Sequence, residues 1–456
     1  MKYIDDINPT TGETIARIPM ASTDEVHQAV ARARAAQPAW QALAPERRAE
    51  LVTEAAAKLK SRAEEVAGLI TSEMGKPAAS AVGEATGWVG RIEGEAQIAL
   101  EALAPEVHDE NGAETHIVRD ALGVVAAITP WNFPLGMALD IVTPALVTGN
   151  TVVFKPSEHV PLTGQAMYEA FREVLPGGVI ELVQGDGSVG AELTRADVDM
   201  IGFVGSRATG QKIMEAASGG LKRLVLELGG KDPLVVFGDA DLDAAAETAV
   251  RHSLRNTGQV CCAVERVYVD EKVADEFQER VLAKAREWSF GDPNEEGTKM
   301  GPMVSVEQRA KVEALVCDAV EHGAKLLLGG ETPEGPGAFY PATVLGGVTT
   351  EHTIASQETF GPVVTLIAFD GSEAEAVRLA NDTPYGLGAN VYSSDRERAF
   401  RVASQIRSGQ VGVNRYLAGS SKAPWVGARQ SGFGFLGGVE GARQFTVPKS
   451  ISIAHG

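Results

Sequence analysis

From residue 124 onward the chain alternates short apolar, β-rich runs with amphipathic helical stretches. No other feature limits the possible folds as tightly. Residues 124–129, 151–155, 179–184, 199–204 and 223–228 read as strands, with helix-like segments at 163–174 and 209–217 between them. Alternation of this kind implies parallel crossovers and a doubly wound sheet. A second series begins at 234–237 and continues through a helical stretch at 242–254. Its further strand candidates are 266–269, 325–328, 363–369 and 390–392. The fold class is therefore α/β, with two doubly wound parallel-sheet lobes. Such sheets bind ligands at the carboxyl ends of their strands.

Residues 23–103 are helical by pattern, with apolar and alanine positions recurring at three- and four-residue spacing. Ser22-Thr23-Asp24-Glu25 has the form of a helix start and Gly75-Lys76-Pro77 that of a stop. The tail at 445–453 alternates apolar and polar residues as an extended strand does, and 108–119 has similar character.

A net charge of −20 over 456 residues repels phosphate backbones and anionic membrane faces, so neither nucleic acid nor membrane is expected as a partner. No apolar stretch reaches the ~18 residues a membrane-spanning helix needs, and residues 1–6 lack the basic start and apolar run of a signal peptide. Three cysteines occur, Cys261, Cys262 and Cys317. The first two are adjacent, too close for an ordinary bridge, and none has zinc-type spacing. Reduced thiols, a cytoplasmic location and no metal are the expectation.

The chemistry lies in Asn256-Thr257-Gly258-Gln259-Val260-Cys261-Cys262 and in Leu226-Glu227-Leu228-Gly229-Gly230-Lys231 upstream. A thiol and a carboxylate are the minimum kit for a two-stage covalent reaction: sulfur attacks a carbon centre, and the carboxylate later activates water. Residues 185–190 match G-x-G-x-x-G, yet they follow the third strand of the series and have no acid at the ribose-reading distance. Glu158, just past the second strand, is the better candidate for an adenosine ribose.

These segments, together with Pro130-Trp131-Asn132-Phe133-Pro134, Lys155-Pro156-Ser157-Glu158, Gly202-Phe203-Val204-Gly205-Ser206 and Gln357-Glu358-Thr359-Phe360-Gly361-Pro362, resemble the NAD(P)-dependent aldehyde dehydrogenase superfamily in order and spacing. The resemblance runs from Asn8-Pro9 to Phe445-Thr446, and its general look is similar to the bacterial succinate-semialdehyde branch. It implies a cofactor-binding domain at 1–102 and 122–228, a catalytic domain at 229–441, and two oligomerisation strands at 103–121 and 442–456. A homodimer or homotetramer follows from it.

By the same resemblance Cys261 is the nucleophile, Glu227 the general base and Asn132 an oxyanion donor. NAD is the cofactor, with NADP as the alternative. Lys155, Ser157 and Glu158 are placed at the adenosine ribose, Trp131, Gly205, Ser206, Gly210 and Leu228 near the pyrophosphate and nicotinamide, and Glu358 and Phe360 at the nicotinamide ribose. Gly205 and Gly210 also read as plain turn glycines. The substrate tunnel is expected from Met137, Asp140, Val260, Cys262, Leu417, Gly419 and Trp425. Arg415 and Lys422 are candidates for attracting a remote carboxylate, whereas Asp140 favours a cationic or hydroxylated tail.

The implied reaction is non-acylating oxidation of an aldehyde to a carboxylic acid, possible substrates being succinate semialdehyde or an amino-, aliphatic or aromatic aldehyde. A cofactor-independent thiol esterase is the alternative class. The chain departs from the resembling pattern at Phe435-Leu436, where Arg-Glu is common, at Val204 for threonine, and at Arg429 for lysine.

Overall fold

In the computed structural model, which describes residues 2–417 and 420–455, the alternating segments form two open sheets. The first runs Gly432–Phe433, Arg223–Glu227, Met200–Val204, Val124–Ile128, Thr151–Lys155, Ile180–Leu182 from edge to edge. Its neighbours are parallel except for the short edge strand Gly432–Phe433. Every residue of Val124–Ile128, Thr151–Lys155 and Met200–Val204 is buried, as a parallel sheet covered on both faces requires. The second sheet runs Lys325–Leu328, Thr343–Gly346, Val363–Phe369, Val264–Asp270, Asp232–Val236, Gly388–Tyr392, Gln410–Val413. Only its Lys325–Leu328 edge is antiparallel.

Strand order reverses in the first sheet beside Val124–Ile128: the chain builds outward to Ile180–Leu182 and then returns with Met200–Val204 on the other side. That reversal opens a crevice beyond the carboxyl ends of the two strands. Glu227 closes the last parallel strand, and Asp232 opens an interior strand of the second sheet four residues after Leu228 begins the link. The link is therefore too short to hold any element of its own.

Four helices, Thr23–Gln41, Pro45–Ser61, Ala63–Met74 and Ala78–Leu103, make up the predicted helical block. Ser22 Oγ accepts the Glu25 amide while the Glu25 carboxylate returns to the Ser22 amide at 2.8 Å, a reciprocal cap that fixes the start. Gly75 ends the third helix with φ +76°, and a Cβ there would lie 2.4 Å from Pro302 Cγ. The apolar faces of the last three, including Val52, Leu59, Ile70 and Ile92, close over Val125, Ala127, Val152 and Phe154 of the first sheet, while Val26, Val30 and Ala33 of the first pack on its other face against Val124, Ala126 and Val153.

Two expectations need correction. Residues 108–119 are not one strand but parts of two, Glu106–Glu110 and Ala113–Ala121, joined by Asn111-Gly112 with φ 54° and 76°. Asn-Gly with both residues left-handed is the tight hairpin signal. The small sheet thus has three strands, Thr446–Ala454 pairing along the whole of Ala113–Ala121. The hairpin Tyr3–Ile7 with Thr14–Pro19 and the strands Thr343–Gly346 and Gln410–Val413 are additions the sequence pattern did not mark. Among the described residues no helix is long and apolar enough to cross a membrane.

Candidate active site

A cavity of about 1570 Å3 occupies the space between the two sheets. Its wall takes Trp131, Asn132, Ser206 and Glu227 from the carboxyl side of the first sheet, and Cys261, Glu358 and Phe360 from segments leading into the second. This exceeds the usual size of a small-ligand pocket, ~300–1000 Å3, and suits a long ligand together with a small one.

The cysteine segment is held by strained backbone. After the helix Leu242–Leu254 the chain takes Asn256, Thr257 and Gly258 through φ 52°, 56° and 70° in succession. Left-handed conformations cost a residue with a Cβ ~1–2 kcal/mol each, so surrounding bonds must hold them. Asn256 Nδ2 donates to both the Asn132 and Gln259 carbonyls at 3.1 Å, Thr257 Oγ1 donates to the Gly301 carbonyl at 3.0 Å, and Gln259 Oε1 accepts the Val304 amide at 2.8 Å. Gly258 cannot be replaced without collision, since its Cβ would stand 2.0 Å from the Gly361 carbonyl oxygen.

Asn132 is buried, and its side-chain amide donates to the Gln259 carbonyl at 3.1 Å, two residues before Cys261. The second amide hydrogen is left for a ligand. Its turn is fixed from beneath by an ion pair with both members buried, Lys76 and Glu84. Lys76 Nζ donates to the Asn132 carbonyl at 2.9 Å and lies 4.1 Å over the Phe133 ring. Glu84 Oε1 accepts the Leu135 and Gly136 amides, each at 3.1 Å, at the start of the helix Gly136–Val147. From sequence Lys76 reads only as part of a helix stop, and Glu84 as one polar position of a long helix.

Glu227 is buried and its carboxyl is pushed up to about 7, chiefly by desolvation, while interactions with Cys261 and with the Trp425 indole pull the other way. Trp425 Nε1 donates to Glu227 Oε1 at 3.2 Å. A hydrogen bond to Cys262, then burial, then the Glu227 charge raise the Cys261 thiol above the usual range, so sulfur rests protonated. Cys262 is lowered to about 6 by the same thiol–thiol contact, and Tyr416 donates to its carbonyl at 2.6 Å.

On the other side of the cavity, Glu358 Oε1 accepts the Gly230 amide at 3.1 Å, and burial pushes its carboxyl up to about 8. Phe360 meets Trp131 edge-on, ring centroids 5.5 Å apart. A second buried pair, Lys231 with Glu265 at 2.6 Å, anchors this loop: Glu265 accepts the Thr359 and Phe360 amides at 2.8 and 2.9 Å. Ser206 caps the helix Arg207–Ser218, whose first turn opens at the crevice.

Not every predicted cofactor residue reaches the cavity. Lys155 ends the strand Thr151–Lys155 and Ser157 and Glu158 follow it, with Lys155 Nζ 3.9 Å from Glu158 and Ser157 Oγ donating to Glu158 at 3.4 Å. Gly210 and Leu228 lie behind the wall, where a Cβ on Gly210 would come 2.7 Å from the leucine side chain. A Cβ on Gly205 would strike the Phe203 ring at 2.4 Å. Gly210 therefore serves close packing of the helix start, while Gly205 lines the cavity. In the segment 185–190, Asp186 caps the following helix and its carboxylate takes the Ser188 amide at 2.8 Å, a group a phosphate would need.

Met137, Asp140, Val260, Cys262, Leu417 and Trp425 all line the cavity. Gly419 lies outside the described residues. Arg415 and Lys422 are exposed and do not belong to the wall. Basic groups that do are Arg91, Lys311 and Arg255, the last standing one residue before the cysteine segment. Arg255 is the most deeply buried of the three. It donates to the Tyr416 hydroxyl at 3.3 Å, its Nε is buried without a partner, and no carboxylate among the described residues pairs with it. Opposite in sign are Glu95, bonded to Arg91 at 2.9 Å, and Asp140, whose carboxyl is raised by burial and by the Glu95 charge.

A family model described as "Aldehyde dehydrogenase family" matches residues 1–451. Betaine aldehyde dehydrogenase of Sinorhizobium fredii is 39% identical, covering 99% of this chain and 94% of its own. A probable succinate-semialdehyde dehydrogenase [NADP(+)] of the same organism is 36% identical, over 98% and 92%. The solved structure of an NAD-dependent aldehyde dehydrogenase from Sinorhizobium meliloti superimposes with TM-score 0.96 at 38% identity, over 100% of this chain and 92% of that one.

Removal of one member of a buried ion pair strands the other charge, at a cost of ~3–5 kcal/mol. Lys76→Met and Glu84→Leu should each lower the thermal midpoint markedly, and the double variant by less than the sum of the two. Calorimetry of the four proteins tests this; strict additivity would contradict a coupled pair.

Proposed function

Because the chain belongs to the aldehyde dehydrogenase family, we propose that it oxidises a small aldehyde to the carboxylic acid with a nicotinamide dinucleotide, through a thioester on Cys261. The observation that carries this reading is the meeting of a thiol, a buried carboxyl and a primary amide (Cys261, Glu227, Asn132) in the wall of one cavity. When bound, the dinucleotide supplies the acceptor for hydride. The Cys261 thiol gives its proton to solvent water, and sulfur forms a bond to the aldehyde carbon as the carbonyl pair moves onto oxygen. The Asn132 amide and the Cys261 backbone N–H receive that oxyanion, each such donor contributing ~2.7–4 kcal/mol in the transition state. Once the carbon is at the acyl level, Glu227 removes a proton from water, oxygen bonds to the carbon, the C–S bond breaks, and the thiolate leaves the acid.

The residues present fit a dinucleotide. Glu358 and Phe360 would hold its nicotinamide half, Trp131 and the Ser206-capped helix its pyrophosphate, and Lys155, Ser157 and Glu158 its adenosine ribose. Glu158 repels a 2′-phosphate, which supports NAD over NADP. On this reading residues 1–102 and 122–228 bind cofactor, 229–441 carry the thiol, 103–121 with 442–456 mediate assembly, and the compartment is the cytoplasm.

For the substrate, Arg255 supports an aldehyde with a remote carboxylate, succinate semialdehyde being the size we propose. A guanidinium in the cavity wall with no carboxylate partner favours an anion. A second reading rests on Asp140 and Glu95 beside Trp88 and Trp425: carboxyls among aromatic rings favour a cationic aldehyde.

Kinetic and hydrodynamic measurements test these readings. Cys261→Ala should abolish NADH formation, and Glu227→Gln should give one turnover of NADH and then slow acid release by ~10²–10⁴-fold. In the unaltered enzyme the deacylation rate should fall about tenfold per pH unit below about 7, where Glu227 becomes protonated. Full acid production by Glu227→Gln would refute the base assignment. With an aldehyde panel and both dinucleotides, Arg255→Met should raise KM more than tenfold for succinate semialdehyde and leave a trimethylammonium aldehyde unaffected. The converse pattern from Asp140→Asn, with Arg255→Met silent, selects the second reading. Val107, Val447, Ile451 and Ile453 are exposed on the three-stranded sheet, so sedimentation should give a dimer or tetramer, and deletion of residues 446–456 should shift it toward monomer.

A further inference from the structure

Resting on the assignment of Glu227 as the base, we propose that Trp425 is a positioning residue for water activation: its indole N–H holds one carboxylate oxygen of Glu227, so that the other is left without a partner, free to take a water proton. Trp425 was expected only as tunnel wall. Its Nε1 stands 3.2 Å from Glu227 Oε1, whereas Oε2 is buried with no hydrogen-bond partner among the described residues. A carboxyl at the end of a strand, with three rotatable bonds, does not keep one oxygen free unless the other is tied.

The backbone shows that this tie is built in. A single ribbon, residues 425–436, fastens both ends of the bond. Gly432 pairs with Glu227 itself and Phe433 with Leu226, and the Leu228 amide donates to the Ser431 carbonyl at 2.9 Å. At the other end Trp425 pairs with Leu436 and Val426 with Phe435. The ribbon turns back tightly enough that a Cβ on Gly427 would lie 2.2 Å from the Ser431 carbonyl oxygen, and one on Gly432 2.7 Å from that of Leu226. Leu436 is buried in the core beneath the ribbon. Indole and carboxyl thus share one rigid frame, and their contact does not depend on two independent loops. Phe435-Leu436, the clearest departure from the resembling pattern, forms the backing strand of that frame.

Other groups face Glu227 and could alter its titration. They are the thiols of Cys261 and Cys262 from the cysteine segment, Asp140 from the helix Gly136–Val147, and Glu358 from the loop before Val363–Phe369. Cys262, Asp140 and Glu358 oppose ionisation of the carboxyl through their charges when ionised, whereas the Cys261 thiol and the indole, both hydrogen-bonded to it, pull it down.

The test combines kinetics and spectroscopy on the full chain. Trp425→Phe keeps a ring in the tunnel but removes the donor. Loss of one hydrogen bond to a carboxylate should move the acid limb of the deacylation rate upward by about 0.5–1 unit. Deacylation should slow by roughly 3–10-fold at pH 6 and change little above pH 9, with KM for the aldehyde within about twofold. A purely tunnel-lining tryptophan predicts the opposite split, a changed KM and an unmoved pH limb, and that result overturns the proposal. Should the variant fold poorly, the unaltered protein labelled with 15N-tryptophan provides a second reading. One indole N–H resonance should titrate with the same midpoint as deacylation and lose that titration in Glu227→Gln; absence of any such resonance also overturns it. Failure of the base assignment looks different, because Glu227→Gln would then retain full acid production whatever Trp425→Phe does.

Discussion

Everything around the cleft depends on how closely the link between the sheets can be approached. Leu228-Gly229-Gly230-Lys231 passes from the end of one sheet into the interior of the other with no room for side chains at its middle. A Cβ on Gly229 would sit 2.3 Å from both oxygens of Glu358, and one on Gly230 would sit 2.5 Å from the Cys261 carbonyl oxygen. Two absent methyl groups therefore let the loop that carries Glu358 and the segment that carries Cys261 close on the same four residues. Glu227, one position upstream, is brought beside the thiol by the same link. Neither glycine has a positive φ, so steric clearance is what they provide, not unusual backbone.

The rigidity of the two flanking loops comes from a device used twice. Lys76–Glu84 and Lys231–Glu265 are buried pairs, and in each the carboxylate accepts two consecutive backbone amides of a functional loop. Burying charges costs several kcal/mol per ion and is rarely repaid by their mutual attraction alone. What the pairs supply is a fixed turn at Asn132 and a fixed left-handed Phe360, φ 48°. Stability is exchanged for orientation at both walls of the cleft, a common bargain where reacting groups must be held within a fraction of an ångström.

Much of this was legible in the chain because the signals are local. Thr151–Lys155 and Val363–Phe369 were bounded correctly from their apolar runs, and Ser22 with Glu25 marked the first helix by its reciprocal cap. Asn111-Gly112 is an equally local hairpin signal, and it divides what alternation alone reads as one strand. Thr343–Gly346 and Gln410–Val413 were missed for a different reason. They are four residues long, and their place in the sheet is decided by neighbours distant in sequence. Arg255 and Lys76 escaped notice because a basic residue in a polar stretch reads as solvated. Only folding revealed one in the cavity wall and the other beneath Asn132.

The sequence by itself determined the α/β class, the two series of strands, and the residue types that can do covalent chemistry. Periodicity and short motifs depend on neighbours within one turn or one strand, and those are written in order along the chain. Only the tertiary structure decided which groups meet: Trp425 with Glu227, Arg255 with the cavity, Arg415 and Lys422 with solvent. Those meetings are set by burial and by contacts between residues up to 198 positions apart, and the desolvation that raises Glu227 does not exist until the core has closed around it.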